Sequence, residues 1–390
     1  MASNAVTFHR SSQPATLAVY RSAVPHAVQR DWMQVSIADL AAWQELVLRA
    51  AEPNPFFEPW YLMPALRAHA YDAKVSLFVL ERDGEWLGLL PVVRQSRYYG
   101  KPIPNLSGWM HANCFLGVPL VAQGYEKAFW QALLAWADGN AKTALFLHLA
   151  HVPFEGSLAI ALREVLHETG RVGGIVHYEE RALLASELSP EEYLDASMSG
   201  KKRKELRRQA NRLAEEGDLG FERREGTHGL TEWTEAFLEL EKAGWKGKAG
   251  SALASTPATA TLFREALAGA AAAGRLERLM LTLDGRPIAM LANFLTAPGA
   301  FSYKTAFDES CARFSPGVLL QRENLTLLER PGIEWCDSCA AADHPMIDHI
   351  WRERRAVGAL SIAIGGTLRR ALFRPLLNAE LGRRPDGARL

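Results

Sequence analysis

Cysteine is scarce, with four in 390 residues. So few in so long a chain rule out a disulfide framework and fit a reducing compartment. Net charge is also missing: 44 Lys and Arg face 44 Asp and Glu, so no global field draws in nucleic acid. No run approaches the roughly twenty apolar residues of a membrane span. The first thirty residues, a Ser/Ala/Pro mixture, lack the apolar core of a secretory signal, and a cytoplasmic location is expected. What remains is ordinary for a globular protein, at 48% hydrophobic and 23% charged residues, in a chain long enough for two domains.

Periodicity and turn chemistry divide the chain. Residues 1–30 read as a flexible tail. A first domain, 31–185, begins with a helix at 37–50 and the Pro-punctuated NPFFEPWYLMPALRAH. It continues with a hairpin over 74–94 turning at Asp83-Gly84, then helix 125–138, strand 143–150, helix 156–169 and strand 173–182. A second domain, 186–358, reads as helix 190–216, strand 219–224, helices 229–243 and 257–273, and a meander. The meander is LERLMLTL, an Asp284-Gly285 turn, PIAMLANFL and AFSYKTAF. Asp-Gly is a strong hairpin signal, and its recurrence hints at duplication. Residues 359–390 form a basic segment, Arg369, Arg370, Arg374, Arg383, Arg384 and Arg389 against Glu380 and Asp386. They suggest a short amphipathic helix able to rest on an anionic membrane surface, peripheral to the inner face of the cell membrane.

The stretch 302–324, SYKTAFDESCARFSPGVLLQREN, carries the most chemistry. A strand empties through a loop into a helix opening at Ser315-Pro316-Gly317. Ser315 suits an N-cap, Pro316 the first helical position, and Gly317 a bare first turn open to a ligand. Such a helix start attracts anions, Arg313 adds a donor, and the order meander–loop–helix suits the pyrophosphate of a thioester cofactor such as coenzyme A. A strand follows at 333–337, and MIDHIWRERR reads as an amphipathic helix.

EKAGWKGKAGSALAS (241–255), LDGRPIAMLANF (283–294), the 302–324 stretch and WCDSCAAADHPMIDHIWRERR (335–355) together resemble the CelD-like, cellulose-biosynthesis acetyltransferases of the GNAT superfamily. In architecture the chain is similar to the FemABX peptidyltransferases, which carry two GNAT-like domains in tandem. The resemblance implies a mixed α/β fold of two such domains, each a mostly antiparallel twisted sheet flanked by helices. The second would be catalytic and the first a wall of the acceptor cleft. It implies transfer of an acyl group, acetyl above all, from acetyl-CoA to an amine of a small molecule, sugar or envelope precursor. It also implies that the phosphates lie on the 313–317 loop, with Arg313, Phe314, Ser315, Gly317, Val318 and Gln321 as cofactor-binding residues. Many relatives carry a Tyr-Lys pair after the last Asp-containing strand. This chain reads His344-Pro345-Met346-Ile347 there, so that pair's role is not carried over.

Amine attack on a thioester needs a neutral amine, a polarised carbonyl and a proton for the leaving thiolate. Asp337 and His344 are the candidate bases, and Tyr303 the candidate acid. Trp245 and Lys246, in the glycine-rich loop 244–250, and Lys304 are expected to contact substrate. No metal is expected. Two rival readings remain open. The run KKRKELRRQANR, with seven Lys or Arg, would suit RNA and hence an aminoacyl-tRNA donor of the FemABX kind. The spacing of Cys336, Cys339, His344 and His349 is compatible with a small zinc knuckle of a nucleic-acid-binding protein.

Overall fold

Two-residue Asp-Gly loops set the register of both long hairpins. In each, aspartate and glycine have positive φ (52° and 81° at Asp83-Gly84, 50° and 73° at Asp284-Gly285), which matches the twist of the strands they join. The computed structural model describes residues 24–71, 73–383 and 387–390. The tail residues 1–23, Arg384 and Asp386 lie outside the described residues.

The first half supplies β1 (His26–Arg30), β2 (Ser76–Arg82), β3 (Glu85–Gln95), β4 (Asn105–Gly108), β5 (Leu120–Val121), β6 (Phe146–Pro153) and β7 (Gly173–Leu184). The second supplies β8 (Leu219–Glu225), β9 (Leu276–Leu283), β10 (Arg286–Thr296), β11 (Gly299–Phe307), β12 (Trp335–Asp337), β13 (Glu353–Ala363) and β14 (Ala388–Arg389). They join in one sheet, in the order β1-β2-β3-β4-β6-β13-β7-β12-β11-β10-β9-β8, with β5 beside β3 and β14 beside β7. Each half follows the same plan. A hairpin and a third strand are antiparallel, and a parallel partner then returns after a helix, β4 with β6 and β11 with β12.

This is the expected mixed α/β class with mostly antiparallel sheets. Several expectations for its parts need correction. Residues 26–30, assigned to the tail, pair with β2 from His26↔Glu81 to Arg30↔Leu77. The helix expected over 190–216 is two, Pro190–Ser197 and Gly200–Glu215, each with its own serine cap (Ser189 and Ser199). MIDHIWRERR forms no helix: its end opens β13, which runs to Ala363 and crosses the boundary drawn at 358. β13 lies between β6 and β7, so the second half returns a strand to the first. In exchange, the end of β7 reaches the second half, where Leu184 and Leu183 pair with Cys336 and Asp337.

The core is likewise shared. Phe56 and Tyr61 of the first half pack in one buried cluster with Phe263, Phe294 and Tyr303 of the second. Helix Pro59–His69 lies against helix Pro257–Ala272. They come close at Gly269, where an added Cβ would stand 2.7 Å from Trp60 Cβ. No described helix is long and apolar enough to cross a membrane.

Candidate functional site

β11 and β12 run parallel for only three residue pairs, ending at Phe301↔Asp337. Beyond that point they part. β11 continues to Phe307, while the other chain turns away through Cys339, whose φ is +52°. Opposite the gap, the β10–β11 register slips: Ala292 pairs with Lys304 and Asn293 with Ser302, so Tyr303 is the extra residue of a β-bulge. Bulges re-aim side chains near sites. The gap opens into a cavity of about 270 Å³, lined by Ser302–Phe307, the 338–347 segment, Glu241, Gly244–Lys246 and Phe115. A second cavity of about 530 Å³ shares Leu240, Gly244 and Phe307 with it and adds Lys248 and Arg286.

Lys304 reaches across the halves. Its Nζ donates to Asn113 Oδ1 at 2.8 Å and lies 4.9 Å from the centre of the Phe115 ring. Burial, with Lys246 as a like-charged neighbour, brings its pKa down to about 8. Lys246 is tied to the buried carboxylate of Glu241 at 2.8 Å, and the other oxygen of Glu241 accepts from Leu253 N at 2.7 Å. Trp245 is 57% exposed, but its backbone N–H and Lys248 both bond to Glu309, which pins the glycine-rich loop beside the strand's end.

His344 lines the cavity, and its Nδ1 is buried without a hydrogen-bond partner. Burial lowers its pKa below the ordinary 6.5, with Lys246 adding to the effect and Asp348 opposing it. It is therefore neutral at physiological pH. Ser302 Oγ is also buried and unpaired. A polar ligand in the cavity would satisfy both atoms. Cys339 is no nucleophile in this setting, because burial and the neighbouring Asp337 push its thiol well above the ordinary cysteine value.

The other expected catalytic residues sit differently. The Tyr61 hydroxyl donates to the Asn113 carbonyl at 2.5 Å. The 3.2 Å contact between the two phenols therefore takes the Tyr303 proton. Burial also raises the Tyr303 pKa, so its phenol is a poor acid for a thiolate. Asp337 is 0% exposed. It accepts from Arg181 at 2.6 Å, Arg355 at 3.0 Å and Cys339 N at 2.9 Å. Burial alone would raise its carboxyl, but the two guanidinium groups hold it below the ordinary 3.8. With its oxygens committed, Asp337 is a joint between strands and not a base.

The expected phosphate loop does end in a helix, Pro316–Asn324, but not with the expected cap. Ser315 has φ +55° and ψ 49°, and its side chain makes no capping bond. The first turn is thus left without a side-chain acceptor. Gly317 is not open to the outside: an added Cβ would meet Met346 Sδ at 2.7 Å. Val318 is half-buried and Gln321 fully buried, with Gln321 Nε2 unpaired. The Arg313 guanidinium lies 4.5 Å from the centre of the Phe314 ring and pairs with Glu216 at 2.8 Å, exposed and able to exchange partners. Glu216 directly follows the basic helix Gly200–Glu215, so the basic run borders this loop. The Cys336, Cys339, His344 and His349 side chains form no ligand set. Among the described residues no three His, Cys, Asp or Glu groups could hold a metal ion.

Residues 200–344 match the domain family described as an acetyltransferase (GNAT) domain. Over that stretch the chain is similar to a GNAT domain. The crystal structure of FemX shares its fold over 86% of this chain and 98% of that one, at 11% identity and a TM-score of 0.55. The C-terminal domain of a putative lysylphosphatidylglycerol synthetase from Agrobacterium fabrum covers 87% of this chain and 95% of its own, at 14% identity and a TM-score of 0.50. A protein of unknown function from Bacteroides thetaiotaomicron VPI-5482 covers 83% and 97%, at 13% identity and the same score. At such identities the likeness is one of fold. No curated protein matches this chain.

The matched stretch, 200–344, contains every candidate catalytic, cofactor-binding and substrate-binding residue from the sequence, but not the whole cavity. Phe115 and Asn113 come from the first half, in a loop without periodicity, and nothing in the sequence marks them. Glu241 was within reach, since it opens the EKAGWKGKAG signature.

Proposed function

We propose that the chain is an N-acyltransferase that moves an acetyl or similar group from an acyl-CoA thioester to an amine by direct attack, with the acceptor held between the two halves. The observation that carries this reading is the parting of β11 and β12 beside a cavity with unpaired polar atoms, followed after the 308–315 loop by a helix start whose Ser315 side chain makes no cap. The phosphates would lie against Arg313 at the start of helix Pro316–Asn324, where the guanidinium and the helix dipole favour negative charge. The thioester supplies the activated carbonyl. His344, neutral and with a free nitrogen, takes the proton of the attacking amine as its nitrogen bonds to the carbonyl carbon and the C–S bond breaks. Lys304, with its pKa near that of a thiol, is better placed than Tyr303 to give the thiolate a proton. Glu241 holds Lys246 as a fixed positive charge beside the acceptor.

The test is calorimetric binding of acetyl-CoA. Arg313→Glu is expected to weaken binding about tenfold or more by setting a like charge against the phosphates. His344→Ala should leave binding intact and lower kcat by about 100-fold. Because His344 works as a base, activity should rise with pH through a limb below 6.5, and that limb should vanish in His344→Ala. Wild type that binds no acetyl-CoA would sink the acyl-CoA reading.

One observation favours a second donor. Lys201, Lys202, Lys204, Arg207 and Arg212 stand exposed on the basic helix bordering the phosphate loop, a surface suited to the backbone of an aminoacyl-tRNA. In that case RNA binding would fall steeply with salt, and Lys201→Glu/Lys204→Glu would abolish it without touching the cavity.

A further inference from the structure

The C-terminal helix Thr367–Leu381 carries leucines on two sides, and the sheet needs only one. Phe373 and Leu377 are buried against Tyr98, Phe146 and Val176 in a small core of their own. On the other side, Leu368, Leu372 and Leu376 are 85%, 63% and 38% exposed. Spaced four apart, they form one stripe. Leu376 also lines a cavity of about 310 Å³ together with the exposed Tyr99, so the apolar face continues inward, and the same lining includes Lys101 and Arg383. The helix's one acidic residue, Glu380, accepts from the Tyr98 hydroxyl at 2.9 Å.

We propose that this face docks on an anionic lipid surface. The three leucines and Tyr99 would enter the boundary between headgroups and acyl chains, while Lys101 and Arg383 would meet lipid phosphates. Charge decides the occupant. A second copy of the chain would bring the same cations against this face, whereas a phosphate-bearing surface is of opposite sign. The proposal does not depend on the acyl-transfer reading, because the helix lies on the first half's sheet, against β7 and β13, and contributes nothing to the β11–β12 cavity.

The full-length protein should cosediment with phosphatidylcholine vesicles containing about one-third phosphatidylglycerol and not with phosphatidylcholine alone. Added salt should weaken binding. Leu368→Glu/Leu372→Glu should lower it about tenfold or more, and Lys101→Glu/Arg383→Glu severalfold. Both variants change exposed positions, so unchanged unfolding midpoints and unchanged acetyl-CoA binding would assign the loss to the surface. Absence of binding to the anionic vesicles would overturn the proposal. So would binding that Leu368→Glu/Leu372→Glu retains, or a lipid-free dimer that this variant dissolves.

Discussion

Lys304→Met is expected to make the protein more stable and nearly inactive. The two effects share one cause. The ammonium of Lys304 is held where burial and Lys246 disfavour its charge, which lowers its pKa from the ordinary 10.5 to about 8. At about 1.4 kcal/mol per unit, the charged lysine costs the fold about 3 kcal/mol at pH 7. Methionine has similar length and no charge. It leaves Asn113 Oδ1 without its donor, which returns about 1 kcal/mol, so a net gain of about 1–2 kcal/mol should appear in denaturant unfolding at pH 7. The pH dependence identifies the group. Between about 8 and 10.5 the unfolded chain keeps the proton that the folded chain has shed, so wild-type stability rises with pH across that window. Below it both states are protonated and the cost is constant. In Lys304→Met the rise should be gone. Turnover should fall about 100-fold, as for loss of a general acid, with acetyl-CoA affinity little changed. A variant that gains no stability would refute the buried, strained cation. One that keeps its turnover would remove Lys304 from the chemistry.

Much of this architecture was legible because its signals are local. Asp83-Gly84 and Asp284-Gly285 fix two hairpins by turn chemistry alone, and the 302–324 stretch announces a strand running into a helix. What stayed hidden depends on partners far away in sequence. β13 reads as a charged run followed by small apolar residues, and its identity as a strand comes from β6 and β7, some 170 to 217 residues upstream. Helix Pro59–His69 escaped because Pro59 and Pro64 punctuate it, although Pro59 falls at the permissive first turn. Ser315 has the composition of a cap but not the conformation, since the chain enters the helix there with left-handed backbone. Within the site, residue types were readable and their commitments were not. Tyr303 and Asp337 look like an acid and a base until Tyr61, Arg181 and Arg355 are placed beside them.

Asp337 therefore gives the sharpest contrast between the two readings. As a base, its loss would silence a well-folded protein. As the joint the structure shows, its loss should unfold the protein. Asp337→Ala leaves Arg181, 2% exposed in its side chain, with a buried charge and without its salt-bridge partner. Breaking such a pair from one side costs about 3–5 kcal/mol, a large share of the roughly 5–15 kcal/mol that keeps a domain folded. The damage would not stay local. Arg181 belongs to β7, Asp337 to β12 and Arg355 to β13, so the triad ties the strands by which the halves exchange chain. Arg181 also donates to the Phe115 carbonyl at 2.7 Å, and Phe115 walls the cavity beside Lys304. Loss of Asp337 should thus loosen the cleft as the sheet weakens. Its acid titration has a defined sign. The carboxyl is held below 3.8 in the fold, so its contribution is complete above that pH and is lost as pH falls through the lower folded value. Wild type should accordingly show an extra loss of stability in that acid range which Asp337→Ala lacks. Unfolding free energy and turnover per folded molecule, measured together, separate the cases. A variant as stable as wild type but catalytically dead would restore Asp337 as the base and return His344 to a supporting place.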